Sequence, residues 1–191
     1  MDYNSTTPVD NEVVEAMLPY FSTKFGNPSS KHHFGNEAHV AVEYARKQIS
    51  SLINCLPEEI IFTSGATESN NLAIKGIVEH NFKEGVNIVT SEIEHTSVLD
   101  TVKALEKSGV EVRYVKPDIY GLINPKDVET NIDANTVLVS IMTANNEIGT
   151  IQPIPEIGQI CRNRNVLFHT DAVQAFGKMP LDVKDYNIDL M

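Results

Sequence analysis

The run His169-Thr170-Asp171-Ala172-Val173-Gln174-Ala175 combines residue types that do chemistry with a setting that exposes them. Val166-Leu167-Phe168 ahead of it is an apolar tract of the kind that fills a buried strand. An acid at the carboxyl end of a buried strand, followed by a helical turn, faces the crevice where open α/β sheets bind ligands. His169 and Asp171 share a face if the strand persists, and Asp171 and Gln174 share one if a helical turn starts here. A carboxylate and an amide then point at one small ligand. Such an aspartate suits a pyridine cofactor, because it keeps the ring nitrogen protonated so that the ring can accept electrons. The bland alternative is an aspartate that caps the next helix. This segment alone does not choose between them.

Such an acid needs strands and turns to hold it, and these recur along the chain. Strand-like tracts begin near Ile60, Val86, Glu111, Val137 and Val166, at intervals of 26, 25, 26 and 29 residues. Helical patterns lie between them, as in Ile74, Ile77, Val78 and Phe82, and in Val98, Val102 and Leu105. Alternation at this spacing predicts repeated βαβ units and a three-layer α/β/α fold with a mainly parallel sheet. Val137-Leu138-Val139-Ser140-Ile141-Met142 reads as the most buried strand. Upstream, Thr6-Thr7-Pro8 is ready to start a helix with the stripe Val13, Val14, Met17, Leu18 and Phe21. A loop over Phe25 to Ser30 precedes a second helix carrying Ala38, Ala41, Val42, Ala45, Ile49 and Leu52. Lys31, His32 and His33 read as a solvated loop, since no third metal ligand is near in sequence.

Four strand ends carry polar groups. The first leads into Ser64-Gly65-Ala66-Thr67-Glu68-Ser69-Asn70-Asn71, a small turn opening a helix, whose first N–H groups make an anion site. Ala66 and Thr67 offer amides, and Thr67 a hydroxyl, to a phosphate. The alternative is an ordinary helix cap. The second ends at His95, before a helix capped by Thr96 or Ser97; an imidazole there can stack on a planar ring or move a proton. The fourth ends in Asn145-Asn146-Glu147, a costly way to end a buried strand unless its side chains bind something. Asn146 can donate to a phenolic oxygen.

The chain has 191 residues, 41% hydrophobic, enough for one domain with a core. Its net charge of −11 argues against nonspecific binding to nucleic acid or anionic membranes. No apolar run approaches the roughly 20 residues of a membrane span. Nothing at the start reads as a targeting peptide, and two cysteines without a CxxC suggest neither a disulfide framework nor a zinc site. A reducing, cytoplasmic location is expected. Cys55 and Cys161 read as small core hydrophobes.

These residues carry a resemblance. The chain is similar to the N-terminal half of cysteine desulfurases, pyridoxal 5'-phosphate enzymes of the fold-type-I, class-V aminotransferase group. The matching stretches are Asp2 to Pro8, Gly26 to Ser30, Ser64 to Asn71, Glu94-His95, Asn145 to Gly149 and His169 to Gln174. The resemblance implies the PLP-dependent transferase large domain, incomplete, preceded by an N-terminal segment, over residues 1–191. It implies that Ala66 and Thr67 bind the cofactor phosphate, that His95 stacks on the ring and shuttles a proton, that Asn146 and Gln174 meet the phenolic oxygen, and that Asp171 meets the ring nitrogen. It implies L-cysteine as substrate, sulfur passed to an enzyme cysteine, a homodimer, and a sulfur-acceptor or iron–sulfur scaffold protein as partner, with no metal. In the family the cofactor-holding lysine and the small C-terminal domain, with its substrate-binding arginine and reactive cysteine, follow the stretch that ends here at Met191. The 191 residues are therefore expected to be inactive alone, and neither Lys75 nor Lys178 matches the missing lysine. A selenocysteine lyase or another class-V relative, and a non-catalytic scaffold protein, are the competing readings.

Overall fold

The computed structural model describes residues 2–191, in two compact units that meet at Ile61/Phe62. The first unit is helical. Helix α1, Asn11–Ser22, starts later than Thr6-Thr7-Pro8 suggested, because Asp10 caps it: Asp10 Oδ1 accepts the Glu12 N–H at 2.8 Å. A carboxylate that satisfies an orphan N–H outweighs a proline that merely fits a first turn. The expected stripe forms on α1, yet no residue of this helix is buried; Phe21 is 75% exposed. Helix α2, His33–Ile53, opens on His32, whose Nδ1 accepts the Gly35 N–H, and closes on Asn54 in the left-handed conformation. Its stripe is buried at Ala38, while Leu52 is exposed. His32 and His33 are exposed and, among the described residues, no cluster of acids, histidines or cysteines could hold a metal.

The second unit is the α/β layer structure. It runs α3 (Ala66–His80), β1 (Asn87–Ser91), α4 (Thr96–Glu106), β2 (Glu111–Val115), α5 (Pro125–Asn131), β3 (Thr136–Ser140), α6 (Ile154–Arg164) and β4 (Leu167–His169). The strands pair in the order β2-β1-β3-β4, all parallel. Strand periodicity divides the core. Ile88 and Leu138 face Ile74 and Val78 of α3 and Val98, Val102 and Leu105 of α4. Their neighbours Val89, Val139 and Phe168 face Val128 of α5 and Ile154, Ile157 and Cys161 of α6. A strand apolar on both faces is what a parallel sheet between two helical layers requires, so the three-layer expectation holds in this unit. Gly158 lets α6 lie close to the chain: a Cβ there would strike the Tyr186 carbonyl oxygen.

Three expectations change. The tract at Ile60 is extended, with φ −87° and ψ 125° at Ile60, but joins no strand ladder, and Ile61 and Phe62 are exposed. Phe82 lies past the end of α3 and is exposed. The most buried strand is β1, buried at all five positions; in β3 Val137 is half-buried, and Ile141 and Met142 lie beyond its end.

Cys161 is packed among Ile154, Ile157 and Phe168 at 1% exposure. Burial, with Asp189 nearby, pushes its thiol up to about 12. A buried thiol is a poor nucleophile. Cys161 should stay unmodified when the native protein meets iodoacetamide at neutral pH and become labelled in urea; native labelling read by mass spectrometry would contradict the packing.

Candidate functional site

Because the four strands are parallel, their carboxyl ends lie at one edge of the sheet. The turns leaving β1, β3 and β4 carry His95, Asn146 and Asp171. Those strands are consecutive neighbours, so the three turns are neighbours too.

Asp171 is 7% exposed. Strand β4 ends at His169, two residues earlier, and a helical turn follows in which the Ala175 and Phe176 N–H groups both donate to the Ala172 carbonyl at 2.8 Å. The capping reading of Asp171 holds, and its second oxygen is engaged as well. Oδ1 accepts the Val173 N–H at 3.1 Å and caps the turn, while Oδ2 accepts from Asn70 Nδ2 of α3 at 2.9 Å. Two carboxylate oxygens offer about four acceptor positions, so these bonds leave capacity for another donor. Gln174, one turn on, accepts Lys178 Nζ on Oε1 at 2.6 Å. That fixes the amide with its NH2 as the donor end.

The start of α3 leaves backbone N–H groups uncapped by any side chain. Gly65 precedes it without a side-chain cap, and a Cβ built there meets nothing within 4 Å. The first intrahelical bond runs from the Ser69 N–H to the Gly65 carbonyl. The N–H groups of Ala66 and Thr67 come before it, with no acceptor recorded among the described residues. Glu68 turns back to accept from the Ser64 N–H and hydroxyl, both at 2.6 Å, and these bonds lower its pKa. Thr67 is exposed and Ala66 half-buried.

His95 is the N-cap of α4, where Thr96 or Ser97 was expected. Its Nδ1 accepts the Ser97 N–H at 3.2 Å and meets the Ser97 hydroxyl at 2.8 Å. Asn70 Nδ2 reaches that same hydroxyl at 2.9 Å. A continuous set of hydrogen bonds therefore runs Asp171–Asn70–Ser97–His95. Spacing could not reveal it, because 101 residues separate Asn70 from Asp171. The available sign was a second polar residue at position 70, one turn beyond Thr67 on the helix face that proves buried. Thr67 and Ser97 line a groove of about 260 Å³ between α3 and α4, with Lys75 and Asp100. Asp171, Asn146 and Gln174 do not line that groove.

Asn146 is half-buried on the turn after β3. Its neighbour Asn145 holds that turn in place. Asn145 Nδ2 donates to the Ile93 carbonyl at 3.0 Å, and Oδ1 accepts the Glu147 and Ile148 N–H groups at 2.8 and 3.0 Å. Glu94 ties the same two turns together: Oε1 accepts the Ser91 hydroxyl at 2.5 Å and the Met142 N–H at 2.9 Å. Glu94 is 5% exposed. Burial, reinforced by the Asp171 charge, pushes its carboxyl up to about 8 against the opposing pull of those two bonds. His169, fully buried, is pushed down to about 4 by desolvation. Its Nδ1 meets the Ser140 hydroxyl at 2.8 Å. Glu94 Oε2 and His169 Nε2 have no hydrogen-bond partner among the described residues.

The donor set at this edge fits a molecule with an anionic group at one end and a protonated ring nitrogen at the other: helix-start N–H groups for the first, a carboxylate with spare acceptor capacity for the second.

The chain matches the class-V aminotransferase family over residues 1–191 and belongs to it. It is 54% identical over its whole length to the mitosomal cysteine desulfurase of Trachipleistophora hominis, covering 44% of that protein. It is 52% identical to the cysteine desulfurase IscS of Rickettsia massiliae, covering 47% of it. The chain thus spans about half the length of the curated relatives it matches. Among solved structures, "SspA in complex with cysteine" superposes with a TM-score of 0.96 at 45% identity, over 98% of this chain and 54% of that one. A NifS-like protein gives 0.95 at 42% identity, over 98% and 52%. No helix among the described residues is long and apolar enough to cross a membrane.

Proposed function

We propose that this chain forms the cofactor-binding part of a pyridoxal 5'-phosphate-dependent cysteine desulfurase, which converts L-cysteine to L-alanine and passes the sulfur to an enzyme cysteine. The observation that carries the reading is Asp171, a nearly buried carboxylate at a strand end, hydrogen-bonded to the helix whose start offers N–H groups to an anion. The names of the relatives support the chemistry. When bound, the cofactor supplies an electron sink for the substrate carbon. Ala66 and Thr67 hold its phosphate, Thr67 by hydroxyl as well as N–H. Asp171 accepts from the ring nitrogen and keeps it protonated. Asn146 and Gln174 donate to the phenolic oxygen. His95 covers the ring and moves a proton.

The covalent anchor lysine and the sulfur-accepting cysteine belong, on this reading, to a part of the protein outside these 191 residues, as does a small C-terminal domain. The second unit is then most of the large domain. The proposed assembly is a homodimer that hands sulfur to an acceptor or iron–sulfur scaffold protein, in the cytoplasm. A tagged protein that localised to an organelle, as the mitosomal name of the Trachipleistophora relative describes for that protein, would overturn the last point.

The test is a titration of the 191-residue chain with pyridoxal 5'-phosphate, followed by fluorescence. Reversible binding is expected, with Thr67→Ala about tenfold weaker for the loss of a hydrogen bond to a charged group. Equal affinity of the two proteins would remove Thr67 from the phosphate site. With added cofactor, cysteine and reductant, the chain should release neither sulfide nor alanine. Sustained turnover would show that the anchor and the sulfur acceptor lie within it.

A further inference from the structure

We propose that Asn70 is a positioning residue of this site, whose single amide group holds the Asp171 carboxylate and, through the Ser97 hydroxyl, fixes the His95 ring as its Nε2–H tautomer. The inference rests on the cofactor reading for its purpose and on hydrogen-bond valence for its content.

Asn70, Ser97 and Asp171 are 3%, 6% and 7% exposed, so each bond between them is made away from water. Asn70 Nδ2 carries two hydrogens, and its two partners lie at 2.9 Å each: Asp171 Oδ2 and Ser97 Oγ. A carboxylate oxygen only accepts, so the NH2 and not the carbonyl of Asn70 must face it. The second N–H then points at Ser97 Oγ, which accepts it. Having accepted there, the hydroxyl directs its one hydrogen to its other partner, His95 Nδ1 at 2.8 Å. The Ser97 backbone N–H, which only donates, is aimed at the same nitrogen at 3.2 Å. Nδ1 is thus an acceptor on two counts. The hydrogen of the neutral ring must lie on Nε2.

The consequence is a division of labour on one imidazole. Nδ1 is committed to the start of α4. Nε2, on an exposed ring, is the nitrogen that can exchange a proton with a bound molecule. One buried amide sets both the acid that faces the proposed ring nitrogen and the tautomer of the base that serves the same ring. A change at Asn70 therefore reaches two site residues through separate hydrogen bonds.

The experiment reads the tautomer without any cofactor. The 191-residue chain, labelled with ¹⁵N-histidine, is studied by long-range ¹H–¹⁵N correlation at about pH 8.5, where an ordinary imidazole is neutral. The His95 signals are assigned by their loss in His95→Gln. The wild-type ring should show the Nε2–H pattern. Asn70→Asp offers Ser97 an acceptor in place of a donor. The hydroxyl then turns to the new carboxylate and presents a lone pair to Nδ1, while the Ser97 backbone N–H still donates there, so the Nε2–H to Nδ1–H ratio should fall by at least the roughly fivefold of losing one donor. Ser97→Ala removes one of two donors to Nδ1 and should lower the Nε2–H to Nδ1–H ratio about fivefold, the effect of one hydrogen bond. Ser97→Thr keeps the hydroxyl and should keep the wild-type pattern. An Nδ1–H ring in the wild type overturns the proposal with no variant needed. So does an unchanged pattern in Asn70→Asp with wild-type circular dichroism; if that variant does not fold, an unchanged ratio in Ser97→Ala does the same. The cofactor titration is separate: failure of the wild type to bind pyridoxal 5'-phosphate would sink the functional reading while leaving the tautomer result standing.

Discussion

Replacing Glu94 by glutamine should make the protein about 3 kcal/mol more stable at pH 9 and change little at pH 5. Glu94 is buried against Ser91, Met142 and Asp171, and its carboxyl is pushed up to about 8, well above an unfolded glutamate. A group whose folded pKa is raised contributes its full stability below the unfolded value, near 4.5. That contribution erodes as pH rises toward 8, because the unfolded chain ionises freely and the folded one does so only at a cost. Glutamine carries no charge at any pH and keeps an oxygen for the Ser91 hydroxyl and the Met142 N–H. His169 works with the opposite sign. Desolvation pushes it down to about 4, so its contribution is complete above pH 6.5 and fades as pH falls toward 4. The substitution leaves that acid-side loss in place. Urea unfolding at pH 5, 7 and 9 checks both; parallel pH profiles for variant and wild type would show that Glu94 is not the buried acid described.

The second large effect is expected at Asp171. Asp171→Asn should weaken pyridoxal 5'-phosphate binding by about a hundredfold, the scale of one charge-assisted hydrogen bond between a carboxylate and a protonated ring nitrogen. It should cost only about 1 kcal/mol of folding stability. The variant keeps an oxygen to cap the Val173 N–H, but its NH2 meets the Asn70 NH2, donor against donor, where Oδ2 accepted before. Affinity by titration and stability by urea unfolding separate the two. Wild-type affinity in a folded variant would end the ring-nitrogen role, and a stability loss larger than the affinity loss would make Asp171 a structural cap.

The sequence disclosed what depends on local pattern. The spacing of apolar tracts places β1, β2, β3 and β4 near Val86, Glu111, Val137 and Val166. Central strands such as β1 and β3 are largely apolar because a parallel strand inside the sheet is buried on both faces, while β2, at the edge, is only partly buried and carries Glu111 and Arg113. Strand-end polar residues point to Asp171, His95 and Asn146 for the converse reason: a polar group beside a core needs a partner. What the pattern could not disclose is pairing. Ile60-Ile61-Phe62 has the composition of a strand, and Ile60 an extended backbone, but a strand also needs a neighbour, and none is written in those residues. Asn70 is the same lesson at a side chain. Its neighbours look like an ordinary helix start, and its two partners come from 27 and 101 residues away. The start of α1 and the cap of α4 are not legible for a related reason: several residues can cap, and only the geometry of one N–H decides for Asp10 and His95.

The bonds from Met142 N–H to Glu94 and from Asn145 to the Ile93 carbonyl have a further meaning in the topology of the sheet. The chain leaves β1 outward to β2, then returns to place β3 on the other side of β1. Loops leaving β1 and β3 therefore diverge, and in open α/β sheets that divergence opens a slot where ligands enter. Here the two turns are tied to each other by a carboxyl and an amide. On the proposed reading, those tied turns are the floor on which the ligand rests, carrying His95 and Asn146, while the start of α3 and Asp171 after β4 grip its ends. Ionising Glu94 above pH 8 puts an unwelcome charge into that floor, so alkaline solutions should loosen the seat of the ligand before they unfold the sheet beneath it.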